Sequence, residues 1–212
     1  MKGYASIPKW SPDDFGKYIH CFNKIDGSNF RAEWNRKLSK KSNFTMGFGK
    51  YGTRREAIHK NSPFAEGIGI FEERLAEPLD LLFRTQKIFR GVDRITVYGE
   101  FYGDSSFAGI HKWDEPHDIS VFDIFLFKKG FLPPMEFKHI TDGIHINTPR
   151  FFLSQQFNQG LVDKINTGFF GLEEGMVCKG VEDGKVFMFK IKTDEWLKRV
   201  KTMYGEKQML EY

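Results

Sequence analysis

Twenty-three phenylalanines in a chain of 212 residues constrain the fold more than any other feature. Aromatic rings are best accommodated on a pleated, half-buried surface, so a chain this rich in them is expected to build its core from strands. Aromatic residues at 16% and hydrophobic residues at 40% also exclude a disordered chain, which could not bury enough apolar surface to offset its ordering entropy. The length suits one domain with a real core. Lys and Arg number 32 against 28 Asp and Glu, and a net charge of +4 is far from the cationic signature of a histone-like protein. Two cysteines, Cys21 and Cys178, are too few for a disulfide framework and lack metal-ligand spacing. They are expected to be small buried residues of a reduced, cytoplasmic protein. No segment has the apolar length of a signal peptide or a membrane helix.

Periodicity and turn chemistry place the elements. Ser11-Pro12-Asp13-Asp14 reads as an N-cap, a Pro at the first helical position and two first-turn acids, opening a helix toward His20. Phe22 to Ile25 reads as a strand, Asp26-Gly27 as its turn and Phe30 to Trp34 as the partner of a β-hairpin. A strand is expected near Phe44 to Phe48, then two helices from Ser62-Pro63, interrupted at Pro78 and continuing through Leu82. Ile95 to Tyr102 and Ile119 to Phe127 are the strongest strands, joined by a long polar loop from Asp104 to Asp118. Thr148-Pro149 is expected to open a helix through Leu161. A hairpin around Glu182-Asp183-Gly184 then joins Val177-Cys178 to Val186 through Ile191, and a helix runs from Thr193 to Tyr204, ending at Gly205. There is no regular βαβ alternation, so the expected class is α+β with antiparallel sheets flanked by helices.

Four segments put lysines or carboxylates where a structural strand would use neutral residues: Lys24-Ile25-Asp26-Gly27, Tyr98-Gly99-Glu100, Glu174 to Lys179, and Lys190-Ile191-Lys192. Each alone is an ordinary turn or a solvated strand face. Together, in this order, and with Val121-Phe122-Asp123-Ile124 after the second, they resemble the five motifs of the covalent nucleotidyltransferase superfamily of polynucleotide ligases and capping enzymes. Gly52-Thr53-Arg54 stands where that family's substrate-contacting arginine lies, with Arg55 as a rival. Gly27-Ser28-Asn29-Phe30 is similar to the second-type RNA ligases.

The resemblance implies an ATP-dependent ligase of the nucleotidyltransferase fold that joins 3′-hydroxyl and 5′-phosphate ends through a lysyl-AMP intermediate, on RNA or a nicked duplex. A small DNA nick-sealing ligase is the enzymatic alternative, and a non-catalytic nucleotide- or nucleic-acid-binding module the alternative of another class. Lys24 is the implied nucleophile, with Lys190 and Lys192 at the reacting phosphates. Asp26, Gly27, Asn29, Arg54, Glu100, Phe122 and Lys179 are assigned to ATP, Phe122 against the adenine ring, and Glu174 and Glu100 to Mg2+ or Mn2+. Ligases of this superfamily usually carry a second domain after the fifth motif. Only twenty residues follow Lys192, so residues 1–212 are expected to be a single adenylyltransferase domain, monomeric, without an oligonucleotide-binding barrel.

The chemistry explains these residue types independently. An amine that attacks phosphorus must be neutral, and neighbouring cations favour that form while also meeting triphosphate charge. Asp26 can orient the amine, and carboxylates hold Mg2+ through oxygen or water. Side-chain parity sets a test. Lys190 and Lys192 share one face of a strand, as do Tyr98 and Glu100. Glu174 and Lys179 fall on opposite faces of a regular strand, so both can serve one site only if Gly175 introduces a bulge or Glu174 precedes the strand. His111 and His117, beside Asp114 and Glu115, lack zinc-site spacing and are expected to be solvated loop histidines.

Overall fold

The computed structural model describes residues 1–41, 46–59, 62, 64–104, 111 and 114–205. The chain divides into two compact units, each with its own antiparallel sheet and its own core. Unit 1 comprises Met1–Ala5, Gly27–Gly103 and Pro116–Thr148; unit 2 comprises Ser6–Asp26, Asp104–Glu115 and Pro149–Tyr212.

Unit 2 holds the strands β1 (Tyr18–Lys24), β7 (Phe151–Gln156), β8 (Gly175–Glu182) and β9 (Lys185–Lys192), in the order β7-β1-β8-β9. One face is apolar: Ile19, Cys21, Met176, Cys178, Phe189 and Ile191 are buried with Leu161, Val162 and Ile165 of helix α5 (Gln159–Asn166). Cys21 and Cys178 stand opposite each other in the register, both buried, with sulfurs 3.5 Å apart. The free edge of β9 is covered by Pro8–Trp10, through Lys190 N–H to the Pro8 carbonyl at 2.9 Å.

Unit 1 contains β2 (Ser28–Asn35), β3 (Phe48–Gly52), β4 (Arg94–Tyr102), β5 (Asp118–Leu126) and β6 (Gly130–Phe131), in the order β3-β2-β4-β5-β6. Phe30, Ala32, Trp34, Ile95, Val97, Ile124 and Leu126 project from one face. They pack on Phe71, Leu79 and Phe83 of helices α2 (Ala65–Arg74) and α3 (Ala76–Thr85). Buried Asp80 of α3 is satisfied there by Trp34 Nε1–H and the Ser39 hydroxyl, each 2.6 Å away. The opposite face is polar, and Met1–Tyr4 lies on it: Tyr98 donates to the Lys2 carbonyl at 3.0 Å and Tyr4 to Asp123 at 2.5 Å.

The antiparallel α+β reading holds, as do the two strong strands β4 and β5, the helix pair, the β8–β9 hairpin and the last helix, α6 (Asp194–Tyr204), capped by Thr193. The helix break falls at Leu75, and Pro78 sits inside the first turn of α3, where its missing N–H costs nothing. Three expectations fail. The first helix is one 3-10 turn, Pro12–Asp14, closed by a capping box; Gly16 (φ +84°) ends it, and His20 lies in β1. Thr148-Pro149 opens no helix: Phe151–Gln156 pair with β1, and α5 starts only at its Asn158 cap. Nor is there a hairpin at Asp26-Gly27. β1 pairs with β7 and β8, whereas β2 pairs with β3 and β4. A two-residue hairpin of the Asp-Gly kind needs positive φ at both residues, and neither has it. Asp183 (φ +49°) and Gly184 (φ +73°) do, and theirs is the hairpin that forms. Helices α1 (Arg36–Lys41) and α4 (Pro134–Asp142) are additional elements. Phe44, Pro63 and much of the polar loop after Asp104 lie outside the described residues.

Gly175 (φ +151°) is where a side chain is least tolerable: a Cβ there would lie 2.1 Å from the Ile191 carbonyl oxygen, and backbone cannot yield. Gly184 has open space around its missing Cβ. Gly175→Ala should therefore lower stability by clearly more than Gly184→Ala, which carries only the ~1–2 kcal/mol of a non-glycine residue at left-handed φ. Urea midpoints of the two variants decide this; equal losses would contradict it.

Candidate active site

The register of unit 2 builds a cationic face from separate motifs. In antiparallel pairs, residues directly opposite project to the same side. Lys24 pairs with Gly175, and Gly175 with Lys192; Phe22 pairs with Val177, and Val177 with Lys190; His20 pairs with Lys179. Lys24, Lys179, Lys190 and Lys192 thus share the face opposite the apolar one. Glu174 immediately precedes β8, so the parity conflict with Lys179 is resolved by its lying outside the strand.

Glu174 organises this face. Its side chain is 3% exposed, and it accepts Lys24 Nζ on Oε2 at 2.9 Å and Lys192 Nζ on Oε1 at 2.6 Å. Its position is set from behind by the Thr193 N–H, which donates to the Glu174 carbonyl at 3.0 Å. Lys192 is 5% exposed, and its ammonium also lies 3.3 Å from the ring centroid of Trp196, in the first turn of α6. Burial pushes the Lys192 pKa down to about 8, with Lys24 and Lys190 adding like-charge repulsion and Glu174 pulling the other way. A solvated-face reading of Lys192 does not survive this burial. Lys179 is buried, its ammonium 5.5 Å from the Phe22 ring centroid, and Lys190 is half-buried. Four lysines on one face of a sheet, two of them buried, concentrate positive charge where an anionic ligand such as a polyphosphate could be met.

Lys24 is 21% exposed, so its amine reaches both solvent and Glu174. Asp26 is buried, and its carbonyl accepts from His111 Nε2 at 3.1 Å, while His111 Nδ1 stands 3.0 Å from Glu115. His111 is therefore a brace on the Lys24–Asp26 segment, not a solvated loop residue. His117 is likewise engaged, 2.8 Å from Glu66 and against the Phe101 ring. Among the described residues no three His, Cys, Asp or Glu side chains come together to hold a metal.

Gly27, Asn29, Arg54, Glu100 and Phe122 belong to unit 1. A Cβ on Gly27 would sit 2.4 Å from the Phe101 carbonyl, so close backbone approach, not a reversed turn, requires glycine. Asn29, Glu100 and Ser120 form a row across β2, β4 and β5 on the polar face. The register of β4 with β5 slips between Tyr98 and Gly99, leaving Phe122 as the extra residue of a bulge. Phe122 thereby leaves the core and meets Tyr4 edge-on at 5.0 Å. Arg54 and Arg55 are both exposed. Sequence reasoning missed Arg31, Ser120, Asp123 and Tyr4 on the same face. Asn29 Oδ1, Arg31 Nε and Ser120 Oγ are buried without a hydrogen-bond partner. Burial and Asp123 push the Tyr4 phenol well above its usual range. Arg31 could have been found by parity with Asn29, whereas Tyr4, 119 residues from Asp123, carries no sequence signal.

Two antiparallel sheets carrying these motifs define the nucleotidyltransferase fold of RNA ligases. The RNA ligase family model matches residues 17–192, and the chain belongs to that family. A search of curated proteins returns no match. Among solved structures, an RNA ligase of Naegleria gruberi in a lysine variant with ATP and Mn aligns at TM-score 0.65 and 18% identity, over 89% of this chain and 53% of that one. The same ligase with PPi aligns at 0.66 and 17%, over 90% and 53%. A glutamate variant with AMP and Mn aligns at 0.68 and 16%, over 94% and 58%. The chain thus spans just over half the length of the ligase it matches.

The Lys192 environment has a thermodynamic signature. Its folded pKa of about 8 lies below the ordinary lysine value, so from about pH 8 to 10.4 the unfolded chain binds more protons, and this group makes stability rise with pH across that window. Relative to Lys192→Met, the wild type should gain about 1–2 kcal/mol between pH 7.5 and 9.5. Denaturant midpoints of both proteins at the two pH values measure it, and a difference that stays constant or reverses would contradict the assignment.

Proposed function

We propose that this chain is the adenylyltransferase domain of an ATP-dependent RNA-joining ligase and that Lys24 is its nucleophile. The carrying observation is the Lys24–Glu174–Lys192 cluster on a buried cationic face. In the first step Lys24, which reaches solvent and gives an ammonium proton to it, forms an N–P bond to the α-phosphorus of ATP. The bond to pyrophosphate breaks, pyrophosphate leaves, the second amine proton passes to solvent, and the triphosphate charge faces Lys179, Lys190 and Lys192. AMP then passes to a polynucleotide 5′-phosphate, and a 3′-hydroxyl displaces it to form the phosphodiester. Glu174 positions both the amine and Lys192.

A divalent ion, when bound, supplies positive charge to the phosphates. With no cluster of three carboxylate, His or Cys side chains among the described residues, the site suits a hard cation that would keep its waters and phosphate oxygens, and Glu174 is assigned to it. The Naegleria structures hold ATP or AMP with Mn, in keeping with this. The roles of Asp26, Gly27, Asn29, Arg54, Glu100 and Phe122 toward nucleotide rest on the motif resemblance. Family membership supports RNA, and the comparisons lend no support to the DNA-joining alternative.

Incubation with α-labelled ATP and a divalent ion, followed by denaturing electrophoresis, should show label on the wild type and none on Lys24→Ala or Lys24→Arg, whose guanidinium stays protonated. Glu174→Ala and Lys192→Ala should fold but lose on the order of 10²-fold in labelling rate. Labelling of Lys24→Ala would refute the nucleophile, and normal rates in the other two would return them to a structural role.

A further inference from the structure

A second cationic surface lies in unit 1. The polar face that carries Glu100 near the end of β4 carries Arg94 at its start, six residues or about 20 Å away. There, Lys2, Arg94, Thr96, Phe125, Phe127 and Lys128 line a groove of about 450 Å3. The cations sit on rings. The Arg94 guanidinium is 3.7 Å from the centroid of Phe127, Lys2 Nζ is 3.7 Å from that of Phe125, and Lys128 Nζ is 5.8 Å from that of Phe127. Phe127 is 41% exposed, and its N–H is tied to the Arg94 carbonyl at 3.1 Å, so ring and guanidinium are held together by backbone. The one carboxylate lining the groove, Glu33, is paired with Lys50 and with the Met1 amine, each at 3.4 Å.

We propose that this groove binds a single strand of the polynucleotide substrate, with a base stacked on the Phe127–Arg94 pair and phosphates at Lys2, Arg94 and Lys128. The inference rests on the RNA-joining reading and names where that substrate is held. Three cations against one compensated carboxylate select an anion. The exposed Phe127 ring, with the half-buried Arg94 guanidinium against it, selects one with flat bases, the combination by which single strands are bound without sequence preference. The volume admits a nucleotide unit, whereas a helix, about 10 Å across, would not enter it. An acidic peptide could use the charges but not the stacking planes.

The test is fluorescence anisotropy of the full chain with a short labelled single-stranded oligoribonucleotide over a salt series, each variant first checked by thermal unfolding. Phe127→Ala should weaken binding about five- to a hundredfold without changing the log–log salt slope, and Phe127→Trp should restore it. R94A/K128A should weaken binding and flatten the slope by about 1.4, two phosphates at about 0.7 each; Lys128→Ala alone, on an exposed turn, should flatten it by about 0.7. Polyglutamate at matched charge should fail to displace the RNA. Unchanged affinity and slope in these variants, or displacement by polyglutamate as effective as by RNA, would overturn the proposal. Self-adenylylation of the wild type is measured in parallel: its absence with a groove-dependent affinity would refute the ligase reading alone, and its presence with groove-independent affinity would refute the groove alone.

Discussion

Two ammonium groups on one buried carboxylate are an arrangement that folding alone would not favour. Taking three charges out of water is expensive, and the attraction within the Lys24–Glu174–Lys192 cluster repays it only while every partner is in place. The surrounding architecture serves this condition. β1 and β9 lie on either side of β8, so residues 24 and 192 meet across position 175, and only glycine fits between them. Thr193 then caps α6 with its hydroxyl and fixes the Glu174 carbonyl with its N–H, and Trp196 in the first turn of α6 lies under the Lys192 ammonium. Strand, glycine, cap and ring form one support for a charge pattern that repels itself.

The apolar side of the same sheet shows why the support is rigid. Met176, Cys178, Phe189 and Ile191 alternate with the lysine-bearing positions and are buried against α5. A slip of one residue in either strand would exchange the two faces, placing lysines in the core and aromatic rings in solvent. The core therefore holds the register that the site requires.

Much of this was legible from sequence because it is local. Alternation marks β4, β5 and β9, and Asp183-Gly184 marks a hairpin through the backbone conformation those two residues tolerate. Parity showed that Glu174 and Lys179 could share a site only through an irregularity, and the strand indeed begins one residue after Glu174. What was illegible depends on distant partners. Asp26-Gly27 has the same dipeptide as Asp183-Gly184 but makes no hairpin, because β1 and β2 each find partners elsewhere in the chain. Phe151–Gln156 becomes a strand because β1 offers it an edge, a fact absent from its own composition. His111 as a brace on Asp26 and Tyr4 as a partner of Asp123 join residues 85 and 119 positions apart.

Of the four lysines on the cationic face of unit 2, Lys24 is the one proposed to react. Lys179, Lys190 and Lys192 share its face, but Lys179 and Lys192 are buried, whereas Lys24 joins solvent access to the Glu174 carboxylate. Peptide mapping by tandem mass spectrometry of the wild-type chain after exposure to ATP and a divalent ion would locate the adduct directly. A single adenylyl group, acid-labile as a phosphoramide must be, on Lys24 is the expected result. Adenylyl groups on Lys179, Lys190 or Lys192, or no adduct at all, would contradict the account.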